Sequence, residues 1–350
     1  MATYQGRRCT SIENEHLGVT VLHEGGHIAA ITDRETGVNP LWTPPWPSLE
    51  PSQFEPSHFG SSTDHQALYG ANSESRLLAG IMGHNLCLDI FGGPSAEEEA
   101  AGLTVHGEGS VVLYEVAERD GGLLMRARLP QAQLEFERRI ELRGRIVTIK
   151  ESVENLTACD RPIGWTQHVT LGPPFLENGA TEFRASATRS KVFEAGFGSH
   201  DYLPAGAEFG WPLAPRRDGG SADLRVMNGD AHSSAFTAHL MDPAREDAFF
   251  LAFSPASRLV FGYCWKRADF PWLGIWEENR SRVHAPWNGK TLARGMEFGV
   301  SPMPETRRQM IERGSMFGTP TYRWLPAKSR IEVEYRAVTA RADSVPETLG

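Results

Sequence analysis

The chain is poor in cysteine. It has four in 350 residues, Cys9, Cys87, Cys159 and Cys264, all far apart. They form no C-x-x-C pair and no metal-ligand spacing, which argues against a disulfide framework and a cysteine-built zinc site. Buried free thiols in a reducing compartment are the expectation. Long apolar runs are missing too. No stretch of 18 apolar residues occurs, and Met1 to Asn14 lacks the apolar segment of a secretory signal. Basic blocks are also absent. Lys and Arg number 35 against 44 Asp and Glu, giving a net charge of −9. That balance argues against a nucleic-acid or anionic-membrane partner. There is no internal repeat and no linker. A cytoplasmic protein with one domain over residues 1–350 is expected, as a monomer or homodimer, with a loose tail at 341–350.

What the sequence does have is glycine, proline and tryptophan, at 35, 23 and 9 residues. These suit an all-β protein with large loops. Two β-rich runs within Val19 to Ile31 flank Gly25-Gly26, a hairpin signal. Residues Thr43 to Ser75 show no sustained period and read as a long loop, a length that tends to carry function. Glu97 to Ala101 reads as one helical turn. Leu134, Phe136, Ile140 and Leu142 share one parity, and Val147, Ile149 and Val153 share the next. With the Arg143-Gly144 turn between them they predict an antiparallel hairpin with one buried face. Further strands are expected at Ala248–Phe253, Leu259–Trp265, Trp272–Trp276 and Ile331–Tyr335, and a short helix at Glu305–Glu312. Many strands and few helices predict one large antiparallel β-sandwich.

Four stretches could carry chemistry. His23-Glu24-Gly25-Gly26-His27 fits the H-E-x-x-H pattern of zinc proteases. That chemistry needs a helix to bring both histidines to one metal, and two glycines cost about 1 kcal/mol each in a helix. A hairpin is the better reading, and no metal is expected there. His106 precedes Gly107 after an acidic segment, and His168 lies in a short strand ending at Gly172-Pro173. Trp272 and Trp276 lie together in an aromatic run, either as core or as faces on which a ligand stacks. The last stretch, Arg294 to Glu305, sets Glu297 between Met296 and Phe298. Two prolines follow, so the strand cannot continue as a central ladder. A carboxylate so flanked is partly desolvated, and its pKa rises toward the range of a general base.

In their order, these motifs resemble the aldose 1-epimerase (galactose mutarotase-like) family over about residues 17–338. The resemblance runs from Gly25-Gly26-His27-Ile28 through Leu41-Trp42, His106-Gly107, and Val153-Glu154-Asn155 before His168, to Glu297 before Ser301-Pro302. It implies a large β-sandwich of the galactose mutarotase type. Glu297 would be the general base, His168 the acid at the ring oxygen, and His106 the residue that holds and polarises the sugar. No metal or cofactor is implied. Trp272 or Trp276 and part of the Thr43–Ser75 loop would line the site. A non-catalytic carbohydrate-binding protein on the same scaffold is the rival from another class. A hydrolase or lyase pairing Glu277 with Glu297 is a third.

The segment Met82 to Gly92, with His84 and Asn85, resembles the hexose-6-phosphate branch of the family. That branch has two phosphate-binding arginines, at positions held here by Ile81 and Ser110. A neutral, unphosphorylated sugar is therefore expected, with Arg76, Arg280 or Arg282 as the cations that would replace the missing pair.

Overall fold

The computed structural model describes residues 2–55 and 64–348. Two antiparallel sheets, of twelve and eight strands among these residues, make up nearly all of the regular structure. In the larger sheet the central order is Ile28–Asp33, His84–Asp89, Arg161–Leu171, Leu292–Gly299, Trp272–Asn279, Ser233–Met241. The smaller sheet contains the expected hairpin, Leu134–Arg143 against Ile146–Asn155, followed in space by Arg330–Arg341, Leu259–Lys266 and Asp247–Ser254.

Between the sheets lies the main core. Leu86, Leu88, Val169, Met296, Phe298, Leu273 and Ile275 of the larger sheet pack on Phe136, Ile149, Phe250, Tyr263 and Tyr335 of the smaller. Since side chains alternate along a strand, Cys87, His168, Glu297 and Trp276 point to the other face. That second face is also covered, by Trp42, Leu77, Leu78, Ile81, Phe91, Trp287 and Met303. The larger sheet is thus buried on both sides at its centre, and Ser233–Met241 and Trp272–Asn279 are buried at every residue. The candidate site lies within this second covering layer.

Several expectations shift in detail. The helix expected at Glu305–Glu312 spans Arg307–Arg313, where Thr306 and Gln309 form a capping box. The helical turn expected at Glu97–Ala101 spans Ala96–Ala100, capped by Ser95 and Glu98. The Thr43–Ser75 stretch has structure of its own, in a 3-10 turn at Pro51–Gln53 and a helix at His65–Tyr69 capped by Asp64. The helix that follows begins at Ser75. Residues 56–63 of that stretch, and 349–350 of the tail, lie outside the described residues.

His23 and His27 sit at the turn between Leu17–Leu22 and Ile28–Asp33, where Gly25 and Gly26 both have positive φ. Their rings bond separately, His23 with Thr10 and His27 with the Ser110 carbonyl. Glu24 between them accepts from the backbone and hydroxyl of Ser52.

Candidate active site

Register brings the acid–base residues together. His168 is directly opposite Glu297 in the pairing of Arg161–Leu171 with Leu292–Gly299. Directly opposed side chains on one face lie within about 5.5 Å at Cβ. Here His168 Nε2 is 3.2 Å from Glu297 Oε1. The two are close but not aligned, and Glu297 Oε1 has no hydrogen-bond partner among the described residues. Gly295, two residues earlier on the same face, makes room for the carboxylate, because a Cβ there would overlap Glu297 Oε1.

His106 arrives from a loop rather than a strand. It has φ 68°, and Gly107 after it has φ 73°. A non-glycine residue held there costs on the order of 1–3 kcal/mol and needs firm support. The support is visible. The His106 N–H donates to the Gly92 carbonyl, its own carbonyl accepts from Leu88 N, and a Cβ on Gly107 would overlap the Leu88 carbonyl. Nδ1 of His106 lies 2.6 Å from the Phe91 carbonyl. A carbonyl only accepts, so Nδ1 carries the proton and Nε2 is left as an acceptor. The His106 and His168 rings are 4.8 Å apart at their centres.

Burial governs the protonation states. Desolvation pushes the Glu297 carboxyl well above the usual carboxylate range. Desolvation, with His106, His84 and His27 nearby, holds His168 well below the ordinary imidazole value. Desolvation takes His106 down to about 4, against the opposing effect of its bond to Phe91. Burial thus favours the neutral carboxyl of Glu297 and the neutral imidazoles of both histidines.

These three residues open into a cavity of about 270 Å³. Phe91, Val105, Leu77, Leu78, Ile81, Phe197, Phe236, Trp276 and Trp287 form its apolar wall, and Ser73, Glu74 and Arg282 add polar groups. The indole N–H groups of Trp276 and Trp287 have no hydrogen-bond partner among the described residues. Trp276 lies 6.2 Å from His168, ring centre to ring centre.

Other sequence-picked residues lie elsewhere. Trp272 shares the face but is sealed, its N–H donating to the Pro320 carbonyl. Glu277 points to the opposite face, 3.3 Å from Arg294 and bonded to the Tyr202 hydroxyl. It does not flank the cavity with Glu297, so the paired-carboxylate hydrolase reading loses its second carboxylate. His84 turns into the inter-sheet core, bonded to Tyr263 and Gln167. Asn85 is opposite His168 in register but buried beside Ser110, outside the cavity lining. Arg76 is exposed and bonds the Pro51 carbonyl. Ser110 bonds the Leu86 carbonyl, away from the cavity. Residues 73 and 74, at the end of the long stretch, do line it. Trp287, Phe197 and Phe236 had no local signal, since each comes from a different loop or strand and meets the others only in the fold.

No protein-family model matches the sequence, and no curated protein matches it. Solved structures do resemble it. A galactose mutarotase-like protein from Clostridium acetobutylicum superposes with a TM-score of 0.62 at 12% identity, over 97% of each chain. A protein from Klebsiella pneumoniae, provisionally called an aldose 1-epimerase, gives 0.67 at 13% identity over 98% of this chain and 82% of its own. A galactose mutarotase related enzyme from Lactobacillus acidophilus gives 0.56 at 13% identity, over 97% of this chain and 100% of its own. The chain has the galactose mutarotase-like fold, an antiparallel β-sandwich with few short helices.

Proposed function

We propose that the protein is an aldose 1-epimerase, interconverting the α and β anomers of a sugar. The observation that carries this reading is the opposed, unaligned pair of Glu297 and His168 at the floor of a cavity walled by tryptophan. Anomer exchange needs one proton taken from the anomeric hydroxyl and one given to the ring oxygen. The pair holds one mobile proton. Once the two groups align on a bound sugar, its transfer from Glu297 to His168 leaves a carboxylate base and an imidazolium acid. The carboxylate takes the anomeric proton, the bond from C1 to the ring oxygen breaks, and the imidazolium protonates that oxygen. The free aldehyde turns about the C1–C2 bond, and the same transfers in reverse close the ring on the other face. Nε2 of His106 accepts a sugar hydroxyl and holds the ring, while Trp276 offers an apolar face to its C–H groups.

The deciding experiment is exchange spectroscopy by NMR on a panel of aldoses, for the wild type and Glu297→Gln. The neutral amide is nearly isosteric and cannot take the proton. Turnover is expected to fall about 10²- to 10⁴-fold with sugar binding retained. Unchanged turnover would mean another base, and binding without exchange in the wild type would favour a carbohydrate-binding protein.

A further inference from the structure

Arg282 lines the same cavity as Trp276 and the acid–base pair. Its guanidinium carbon is 4.6 Å from the Trp287 ring centre, 5.1 Å from Phe197 and 5.6 Å from Trp276. Aromatic stacking occupies the faces of the planar group and leaves its N–H edge for hydrogen bonding. Little in the protein uses that edge. Nε lies 3.5 Å from Glu278 Oε2. The Glu278 carboxylate already accepts from Ser281 N, Ser281 Oγ and Arg282 N, at 2.6 to 3.1 Å. Neither Nη group has a partner among the described residues, and 17% of the side chain stays accessible. Glu74 lines the same cavity but forms no ion pair with Arg282. The contrast with Arg307 is direct, since its guanidinium is spent on Asp89 and Glu98 through three bonds.

We propose that the substrate is an acidic sugar of the aldohexuronate type, whose carboxylate binds the Nη edge of Arg282. This rests on the anomerisation reading of Glu297 and His168 and specifies what else in the cavity the sugar meets. Arg282 and His168 line the same cavity and both lie near Trp276, 5.6 Å and 6.2 Å from its ring centre. A pyranose held in this cavity beside Trp276 therefore has both the acid–base pair and the guanidinium in its lining. The charge count selects carboxylate over phosphate. One guanidinium matches one carboxylate in a bidentate fork, whereas a phosphate monoester carries about −1.5 to −2. Ile81 and Ser110 supply no second cation. The proposal departs from the expectation of a neutral sugar. The missing arginines speak against a phosphate dianion and leave room for a single charge.

The test compares galacturonate, glucuronate, galactose, glucose and galactose 6-phosphate with the wild type, Arg282→Gln and Arg282→Lys. Anomerisation is followed by NMR and affinity by titration calorimetry. The wild type is expected to favour the uronates over their neutral counterparts by more than tenfold in kcat/KM, or about 1.4 kcal/mol. That ratio collapses in Arg282→Gln, mainly through KM, and is partly kept in Arg282→Lys. Equal use of uronate and neutral sugar overturns the proposal. So does a tenfold preference for the phosphate, or an unchanged ratio in Arg282→Gln. Should Arg282→Gln fail to fold, the wild-type preference and Arg282→Lys decide. If no sugar turns over, calorimetry separates the two ideas. Selective uronate binding keeps the carboxylate site and removes the enzyme, and unselective binding removes the site.

Discussion

Two buried glutamates lie against opposite faces of the larger sheet, Glu297 on one of its own strands and Glu151 reaching it from the smaller sheet. Gln167 touches one and His168, the next residue, touches the other. Glu151, between the sheets, is saturated. It accepts from Arg138, Gln167 and the Tyr335 hydroxyl at 2.6 to 2.7 Å, and from the Trp165 indole at 3.2 Å. Arg138 is buried with it and also holds the Gly26 carbonyl. Glu297 has the same burial and only an unaligned histidine. A buried charge that is paired and bonded fixes structure, while a buried acid left without donors keeps its proton and can pass it on.

Breaking the paired side should have the larger effect on stability. Glu151→Ala strands Arg138 in the core and is expected to cost about 3–5 kcal/mol, read by denaturant unfolding. Glu297→Gln, by contrast, replaces a carboxyl whose neutral form burial favours and should leave stability within about 1 kcal/mol. Equal losses in the two variants would erase the distinction.

Acid sharpens the same comparison. Burial holds His27, His84, His106, His168 and His239 below the ordinary value, with His106 at about 4 and His84 and His239 at about 3. Their neutral forms belong to the fold. Their stabilisation is present above the unfolded value of about 6.5 and is lost as pH falls from there toward 3. Glu297, shifted up, acts the other way but is one group against five. Calorimetry should show Tm falling by roughly 5–10 °C between neutral pH and pH 5. A flat or rising Tm would mean that these histidines are protonated in the fold.

The smallest effect concerns position. Gly295→Ala places a methyl group where the Glu297 carboxylate lies. Turnover should drop about tenfold through kcat, since small displacements of a reacting group are costly. A change confined to KM would indicate that Glu297 binds the sugar rather than reacting with it.

How much was legible in the sequence follows from which faces are wet. Leu134–Arg143 alternates buried and exposed residues along most of its length, so its hairpin with Ile146–Asn155 could be read from parity. Ser233–Met241 and His84–Asp89 are buried on both faces and have no alternation to read. Glu297 was visible through its apolar neighbours and the prolines beyond. Its pairing with His168 is a matter of register, which no local pattern records. Glu277 and His84 looked as suitable as Glu297 and His168 in residue type, and one step of strand parity turned each to the core. Arg282 stood in the sequence only as one of three spare cations. What sets it apart is its aromatic cage, assembled from Phe197, Trp276 and Trp287 across three segments.

The central claim is that the resting site stores its proton on Glu297 beside a neutral His168. Histidine side-chain ¹⁵N NMR of the ligand-free protein near neutral pH, with His168→Gln for assignment, measures this directly. Infrared difference spectra of wild type against Glu297→Gln read the carboxyl itself. The account predicts a neutral His168 imidazole and a protonated-carboxyl band that vanishes in Glu297→Gln. An imidazolium at His168 with a carboxylate band for Glu297 would contradict it.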